Sequence, residues 1–130
     1  MDEALEVRLR GGRQAPGLAR TALSGLNGSL AELHYPVSLL VSELVTNAVR
    51  HGGTGPESTV CVRLDSTGRF VRVEVVDGGP GFDGRPGRPK NPIQDGFGLV
   101  LVDELADRWG VEANDDETLV WFEIDRPHAR

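Results

Sequence analysis

The chain has 130 residues, of which 38% are hydrophobic and 26% are charged, and this composition is typical of one folded domain covering residues 1–130. The net charge of −6 argues against nucleic acid as the main ligand, because a phosphate backbone requires a basic surface. No apolar run approaches the roughly 20 residues of a membrane span, and the acidic start Met1-Asp2-Glu3-Ala4 does not resemble a signal peptide. We therefore predict a cytoplasmic protein that binds neither nucleic acid nor membranes.

The first part of the chain is predicted to form a strand and then a helix. Residues 5–10 alternate apolar and charged side chains, as a half-buried strand does, and Gly11 and Gly12 end the strand. Pro16 suits the first turn of the helix that follows. The core face of this helix is predicted to consist of Leu18, Ala22, Leu23, Leu26 and Leu30.

A second helix is predicted from about Pro36 to His51, where two glycines follow the last turn. Its apolar residues recur at intervals of three and four and form one stripe, made of Val37, Leu40, Val41, Leu44, Val45 and Ala48. Glu43, Asn47 and His51 are spaced four residues apart and therefore line up on the flank of that stripe. Since an unpaired buried polar group costs about 1–3 kcal/mol, Glu43 and Asn47 need partners, which the protein or a bound ion could supply.

Two strands and a loop are predicted next. Residues 59–65 and 70–76 alternate valine or leucine with other residues, and the short segment between them indicates an antiparallel hairpin. The lone cysteine, Cys61, lies in the first of these strands and is interpreted as a small core or edge residue, not a nucleophile. Asp77 ends the second strand. Residues 83–95 are rich in glycine, proline and charged residues and are interpreted as a mobile surface loop.

The last part of the chain is predicted to be a helix followed by two strands. Gly96-Phe97-Gly98 opens the helix, and residues 111–113 and 118–124 form the strands. The inner side of the helix is predicted to carry Leu99, Val102, Leu105, Ala106 and Trp109. The order of elements indicates an α+β fold, a two-layer α/β sandwich with helices on one face of a mixed, mostly antiparallel sheet.

Two glycine-containing motifs indicate ligand binding, although each has a structural alternative. The carboxylate of Asp77 can accept a hydrogen bond from an exocyclic amine, and Gly79 and Gly81 would let a flat ring approach the backbone. A type II turn at the strand end is the alternative. Gly96-Phe97-Gly98 stands at a helix start, where backbone N–H groups can bind an anion, although glycine is also common there for structural reasons.

Glu43 and Asn47 form a third motif on the second helix. The carbonyl oxygen of Asn47 suits Mg²⁺, an ion that keeps several waters and also binds substrate phosphates. Glu43, one turn earlier, could orient or deprotonate a hydroxyl or a water beside that ion. As an isolated pair these residues have a structural alternative, in which Glu43 caps a neighbouring backbone or pairs with an arginine.

Taken in order, the three motifs resemble those of a known ATPase fold. Glu43-x-x-x-Asn47, Asp77-x-Gly79-x-Gly81 and Gly96-x-Gly98 are similar to the motifs of the GHKL-type (Bergerat) fold shared by gyrase, histidine kinases and MutL. The similarity is greatest to the bacterial anti-sigma-factor serine/threonine kinases and their stand-alone ATP-binding relatives. It extends over essentially the whole chain, and it implies the same two-layer fold with a loop lid over ATP.

The resemblance implies a metal-binding and a catalytic role for two residues of the second helix. Asn47 would bind Mg²⁺, and Glu43 would be the general base. His51 also matches a family position, where we favour a structural role, because a histidine at a helix C-terminus interacts favourably with the helix dipole.

The resemblance also implies an ATP pocket. Asp77 would bind the adenine amino group, and Thr118 would support that carboxylate. Gly96 and Gly98 would offer backbone N–H groups to the phosphates, and residues 83–95 would form the lid. The other residues implied in ATP binding are Gly79, Gly81 and Leu99.

One position departs from the family pattern. The anti-sigma kinases often carry an arginine just before the third motif, whereas this chain has Gln94-Asp95 there. Arg85, Arg88 and Lys90 lie earlier in the loop and could substitute, or they could form a solvated loop face. The missing arginine weakens the prediction of phosphoryl transfer more than the prediction of ATP binding.

The resemblance implies an ATP- and Mg²⁺-binding anti-sigma-type regulator. Such a serine/threonine protein kinase would bind a sigma factor and phosphorylate an anti-sigma factor antagonist. The alternative is a non-catalytic, nucleotide-dependent binding module that regulates a partner protein. A detached histidine kinase catalytic domain is disfavoured, because no phospho-accepting helical hairpin is expected ahead of the domain. The relatives commonly form homodimers, and the sequence leaves the oligomeric state open.

Overall fold

A computed structural model describes residues 3–10, 12–51, 59–77, 99–113 and 117–127. The elements in chain order are β1 (Glu3–Arg10), α1 (Ala15–Ser24), α2 (Asn27–Leu30), a 3-10 turn (Ala31–Leu33), α3 (His34–His51), β2 (Thr59–Ser66), β3 (Phe70–Asp77), α4 (Leu99–Leu105), β4 (Arg108–Ala113) and β5 (Thr118–Asp125). None of the described helices is long and apolar enough to cross a membrane. Apart from the short α2 and the 3-10 turn, the order of strands and helices is the predicted one.

The five described strands form one sheet in the order β1-β2-β3-β5-β4. Every described pairing is antiparallel, so the predicted α+β class with a mostly antiparallel sheet is confirmed. The last strand in the sequence, β5, lies between β3 and β4. β3 and β5 are therefore neighbours near the centre of the sheet, although the chain between them includes a helix and another strand.

One face of the sheet packs against the helices and forms the core. Alternation along each strand puts cross-strand rows of apolar side chains on this face, such as Val62, Val75 and Val120. The predicted stripe on α3 packs against them and is confirmed, because all six of its residues are buried, namely Val37, Leu40, Val41, Leu44, Val45 and Ala48. The helix-facing side of the sheet thus supplies a rigid platform.

The other face of the sheet carries a ladder of alternating charges across four strands. Its members are Arg63, Glu74, Arg72, Glu123, Arg108 and Asp125. Glu123 lies at its centre and accepts hydrogen bonds from Arg72 Nη1 at 2.9 Å and from Arg108 Nε at 2.6 Å. Three guanidinium groups and three carboxylates balance one another, so the charges of this ladder neutralise each other.

The end of the sheet away from Asp77 is closed by Arg126, which follows β5. Its guanidinium donates to Thr67 O at 2.6 Å, to Ser29 O at 2.8 Å and to the buried Ser66 Oγ at 2.6 Å. A weaker contact reaches Leu30 O at 3.4 Å. One side chain therefore ties the β2–β3 turn to the C-terminal carbonyls of α2.

The core face predicted for the first helix is partly wrong. Leu18 was expected in the core but is 51% exposed, whereas Ala15, Ala19 and Leu23 form the buried side of α1. The helix begins at Ala15 and a turn at Gly25 interrupts it, so the apolar spacing does not continue through one straight helix. α1 packs along α3, and its small alanines allow that close approach.

The helix predicted after the third motif is also shorter than expected. α4 ends at Leu105, which is 41% exposed, and Trp109 belongs to β4, where it pairs with Phe122 of β5. The spacing of Val102, Ala106 and Trp109 suits a helix as well as a strand that follows one. Pairing with β5 places Trp109 in a strand, because the sheet hydrogen bonds begin before it: Asp107 N donates to Glu123 O at 2.8 Å.

Candidate functional site

Asp77 and Thr118 lie directly opposite each other at one end of the two central strands, β3 and β5. Both belong to the helix-facing side of the sheet, where Asp77 is 3% and Thr118 is 7% exposed. Apolar residues occupy the same face in the rest of β3, so the carboxylate continues an otherwise hydrophobic row. A charged group at such a position is costly to bury and indicates a specific role.

The hydroxyl group of Thr118 is a second buried polar group at this end of the sheet. Within the ranges that the structure describes, Thr118 Oγ1 is buried and has no hydrogen-bond partner. Leaving such a group without a partner costs about 1–3 kcal/mol. A polar ligand that reaches the Asp77 end of the sheet could supply the missing hydrogen bond.

α3 is long enough to bring Asn47 to the end of the molecule where Asp77 lies. α3 starts four residues after Leu30, whose carbonyl contacts Arg126 at the opposite end of the sheet. With 18 residues the helix is about 27 Å long, close to the roughly 26 Å of an eight-residue strand. The last turns of α3 can therefore reach the Asp77 end of the sheet, and the side chain of Asn47 is buried.

Glu43 is half-buried one turn before Asn47 on the same helix. The neighbouring residue, Ser42, accepts a hydrogen bond from Arg20 Nη1 at 2.8 Å, which joins α1 to α3 at this level. Since α3 is packed against the sheet over its whole apolar stripe, the backbone that carries Glu43 and Asn47 is fixed. The two residues thus lie one turn apart on a fixed backbone.

Leu99 begins α4 and is almost completely buried together with Val102. α4 packs against α3 and β4. This packing places the start of the helix beside the core and near the helix that carries Asn47. The five described residues among those predicted for the site are Glu43, Asn47, Asp77, Leu99 and Thr118.

Several predicted site residues lie outside the described residues. They are Gly79, Gly81, Gly96 and Gly98, together with residues 83–95 that include Arg85, Arg88 and Lys90. The side chain of His51 also lies outside the described part. Their assigned roles stay predictions.

Val60 is a candidate site residue that the sequence motifs do not include. It is buried and lies directly opposite Asp77 on the other side of β3. Its alternation with Val62 and Leu64 predicts the face on which it lies, but the register with Asp77 depends on pairing between strands. Val60 and Thr118 thus flank the carboxylate with one apolar and one polar neighbour.

Comparison with known families agrees with this geometry. A family model described as a histidine kinase-like ATPase domain matches residues 13–124. The chain belongs to this family. The match extends from the residues just before α1 to the last but one residue of β5, so it includes all the described elements except β1 and the last residue of β5. The resemblance to GHKL-type domains that the three motifs predicted is confirmed.

Solved structures of this ATPase-domain fold show the same architecture. The RsbU and RsbW domains of Rv1364c from Mycobacterium tuberculosis give a TM-score of 0.64 at 23% identity, covering 98% of this chain and 34% of that one. The catalytic domain of the histidine kinase ThkA gives a TM-score of 0.53 at 14% identity, covering 93% and 97% of the two chains. This domain thus spans about a third of the mycobacterial chain. At these identities the likeness shows the fold alone.

A relative of this ATPase domain also occurs in Streptomyces coelicolor. It is an uncharacterized protein, SCO4941, that is 35% identical over 81 residues. The alignment covers 62% of this chain and 76% of the relative. Because this relative is uncharacterized, the similarity assigns no activity to the chain.

Proposed function

We propose that this domain binds ATP with Mg²⁺ and acts as a serine/threonine kinase on an anti-sigma factor antagonist. The observation that carries the proposal is the buried pair of Asp77 and Thr118 at the end of the central strands. Membership of the histidine kinase-like ATPase domain family supports the choice of nucleotide. The three motifs support the comparison with anti-sigma kinases in particular.

The chemistry of the pair suits adenine. The carboxylate of Asp77 can accept a hydrogen bond from the exocyclic amine of the base, and the Thr118 hydroxyl can donate or accept beside it. Val60 supplies an apolar neighbour for a flat ring. Guanine presents a carbonyl oxygen where adenine presents its amine, so the carboxylate would repel it. The donor and acceptor set therefore favours ATP over GTP.

Asn47 and Glu43 would hold the metal and activate the acceptor. Asn47 Oδ1 is the kind of oxygen that Mg²⁺ binds, with water and phosphate oxygens in the other positions. When bound, the ion would neutralise charge on the phosphates. Glu43 would accept the proton of a serine hydroxyl while the serine oxygen takes the terminal phosphoryl group and ADP leaves.

The regulatory partners follow from the same comparison. The first motif, residues 42–51, is similar to that of anti-sigma-factor kinases, and the fold is similar to an RsbW domain. On this basis the domain would bind a sigma factor and its antagonist, and it would form homodimers as such relatives commonly do.

A second candidate function is a nucleotide-dependent binding module that does not transfer phosphate. Gln94-Asp95 favours it, because an arginine often precedes the third motif in the kinases and an acidic residue would repel phosphate. In this case ATP would change the affinity for a partner, while Glu43 would have no catalytic role.

Transfer of radiolabel from ATP to a co-encoded antagonist protein distinguishes the two functions. We expect transfer by the wild type and a loss of at least a hundredfold in Glu43→Gln, since general base catalysis contributes about 10²–10⁴-fold. Glu32→Gln is the matched control, because Glu32 is exposed in the turn before α3. ATP binding by calorimetry without any transfer would favour the binding module, and failure to bind ATP would reject both functions.

A further inference from the structure

β1 (Glu3–Arg10) lies at one side of the described sheet. Among the described strands it pairs with β2 alone, over its whole length. A strand at the side of a sheet presents a row of backbone N–H and C=O groups that point away from its neighbour, and another extended strand can pair with them. The edge of β1 that faces away from β2 is therefore a candidate surface for the addition of a strand.

The helix-facing side of β1 is apolar but incompletely covered. Leu5, Val7 and Leu9 lie on this side and pack against the hydrophobic core. Leu9 is buried, whereas Leu5 and Val7 are only half-buried. The residues opposite them on β2 are all buried. A further strand with apolar residues on the same side would cover Leu5 and Val7 as well.

The other face of β1 carries charged groups with weak contacts. The side chains of Glu6 and Arg8 are 52% and 74% exposed and approach each other only to 3.8 Å. Glu6 also accepts a hydrogen bond from Cys61 Sγ at 3.6 Å. Since an ion pair between exposed side chains contributes little, both charged groups can exchange this contact for one on another strand.

The sequence of β1 is complementary to itself when two copies run antiparallel. With Val7 opposite Val7 of the second copy, Glu6 lies opposite Arg8 at two places, and Leu5 lies opposite Leu9 on the other face. Sliding one strand by two residues puts two Glu6 or two Arg8 side chains opposite each other, and sliding it by one sets charged against apolar residues. The Val7 register thus suits both faces, and it has the twofold symmetry of an isologous interface.

The strand at the opposite side of the described sheet is less suited to such pairing. β4 is two residues shorter than β1, and it also carries opposite charges, at Arg108 and Glu112. Arg108 is already bound by Glu123 and Asp125. A second copy of β4 would have to compete with these two carboxylates, whereas the charges on β1 face no such competition from Glu6 and Arg8 alone.

We propose that two copies of this chain dimerise by antiparallel pairing of their β1 strands about Val7, which joins the two sheets into one. The inference deepens the proposed function, which includes a homodimer but does not assign its contact surface. Each copy contributes one eight-residue strand, so the interface is small and the dimer should dissociate on dilution. Because the strands are antiparallel, the two Asp77 ends lie at opposite ends of the joined sheet, and each copy forms its own candidate site.

Charge reversal on β1 tests the inference. The proteins compared are the wild type, Glu6→Arg, Arg8→Glu, the double variant and an equal mixture of the two single variants. Glu104→Arg and Arg69→Glu are the matched controls, because they make the same changes of charge at exposed positions on α4 and in the β2–β3 turn. Sedimentation equilibrium measures the dissociation constant of the dimer, and thermal denaturation shows that each variant is folded.

We expect the wild type to form dimers, and each single variant to raise the dissociation constant about tenfold or more, because the twofold axis turns both opposite-charge pairs into like-charge pairs. The double variant should dimerise as the wild type does, since it only exchanges the positions of the charges. The mixture should form heterodimers, in which a strand with two basic residues faces one with two acidic residues. The controls should keep the wild-type constant.

Three results would overturn the inference. Dimers that persist unchanged in Glu6→Arg and Arg8→Glu would place the interface on another surface and leave the homodimer of the proposed function intact. A loss of dimers that neither the double variant nor the mixture restores would show that these charges do not pair across a twofold axis. A wild type that stays monomeric at every concentration would reject the pairing and the homodimer together. Failure to bind ATP would instead reject the nucleotide site and leave the pairing of β1 unaffected.

Discussion

Asp77 is the single residue on which the proposed site depends most. Its carboxylate is buried at the end of a strand whose other helix-facing residues are apolar. Thr118, directly opposite, brings a hydroxyl group to the same point. These two side chains could provide selectivity for adenine, because together they offer an acceptor for its amine and an adjustable donor beside it.

Replacing Asp77 tests the adenine contact. We expect Asp77→Asn to weaken ATP binding roughly 10- to 100-fold, since hydrogen bonds to charged groups contribute about 1.5–3 kcal/mol. Asp65→Asn is the matched control, because Asp65 is an exposed aspartate on β2. Titration calorimetry measures both affinities. Wild-type affinity in Asp77→Asn would show that the carboxylate does not bind the base.

Replacing Asn47 tests the metal contact. We expect Asn47→Ala to remove most of the Mg²⁺ dependence of ATP binding, because the alanine has no oxygen ligand. Asn47→Asp keeps an oxygen at that position and should keep the dependence. The measurement compares ATP affinity with Mg²⁺ and with a chelator. A dependence in Asn47→Ala equal to that of the wild type would refute the ligand role.

Among the elements, β4 contains the described glycine at which an added Cβ would meet the closest contact. Gly110 lies opposite Trp121 of β5, and a Cβ atom at Gly110 would be 2.7 Å from Trp121 Nε1 and 3.0 Å from Cε2. The guanidinium of Arg72 in turn lies over this indole, with its Cζ atom 4.4 Å from the ring centroid. A side chain at position 110 would therefore fit only if the indole ring moved.

We expect Gly110→Ala to lower the free energy of unfolding by roughly 1–3 kcal/mol, because the added methyl group must displace the indole ring. Gly68→Ala is the control, since a Cβ at Gly68 would meet no atom within 4 Å. Urea denaturation measures both variants. Equal stability of Gly110→Ala and Gly68→Ala would show that the ring moves aside at little cost.

The charge ladder on the outer face predicts how stability depends on pH. Burial acts to raise the pKa of Glu123, but hydrogen bonds from Arg108 and Arg72 lower it below the usual value. A hydrogen bond from Arg108 likewise lowers the pKa of Asp125. The carboxylates of Glu123 and Asp125 therefore bind protons more readily in the unfolded chain than in the folded one. As a result, the ladder stabilises the fold at pH values above the unfolded pKa values, which are near 4. That stabilisation is lost as the pH falls through the lower folded values.

We expect the melting temperature to fall between about pH 5 and pH 3, and to fall less in Glu123→Gln. The variant should be less stable than the wild type at pH 7, where its glutamine lacks the charge that Arg72 and Arg108 bind. Thermal denaturation across this range measures both effects. Identical slopes for the two proteins would show that Glu123 does not contribute.

At the scale of the whole molecule, sequence patterns predict the features that depend on one segment of the chain. The α3 stripe and the hairpin of β2 and β3 follow from spacing along one segment, and the structure agrees with both. The exposure of Leu18 and the placement of Trp109 in a strand depend on contacts between distant segments. Periodicity cannot decide them, because the same spacing suits more than one arrangement.

The candidate site, too, could be predicted only in part from the sequence. The types of residue at Glu43, Asn47 and Asp77 suggest the chemistry, and their order along the chain suggests the family. The position of Thr118 opposite Asp77, and of Val60 on its other side, depends on the register of three strands. That register is a property of the assembled sheet, so the geometry of the site could not be derived from any one motif.

The two ends of the sheet are closed in different ways. Arg126 closes one end with contacts from the chain itself, while the Thr118 hydroxyl at the other end has no hydrogen-bond partner among the described residues. If ATP completes the second end, its binding stabilises the folded state by about 2.7 kcal/mol at a concentration 100 times the Kd. Resistance to proteolysis would then rise with the supply of ATP, and the lifetime of this protein in the cell would follow the energy state of that cell.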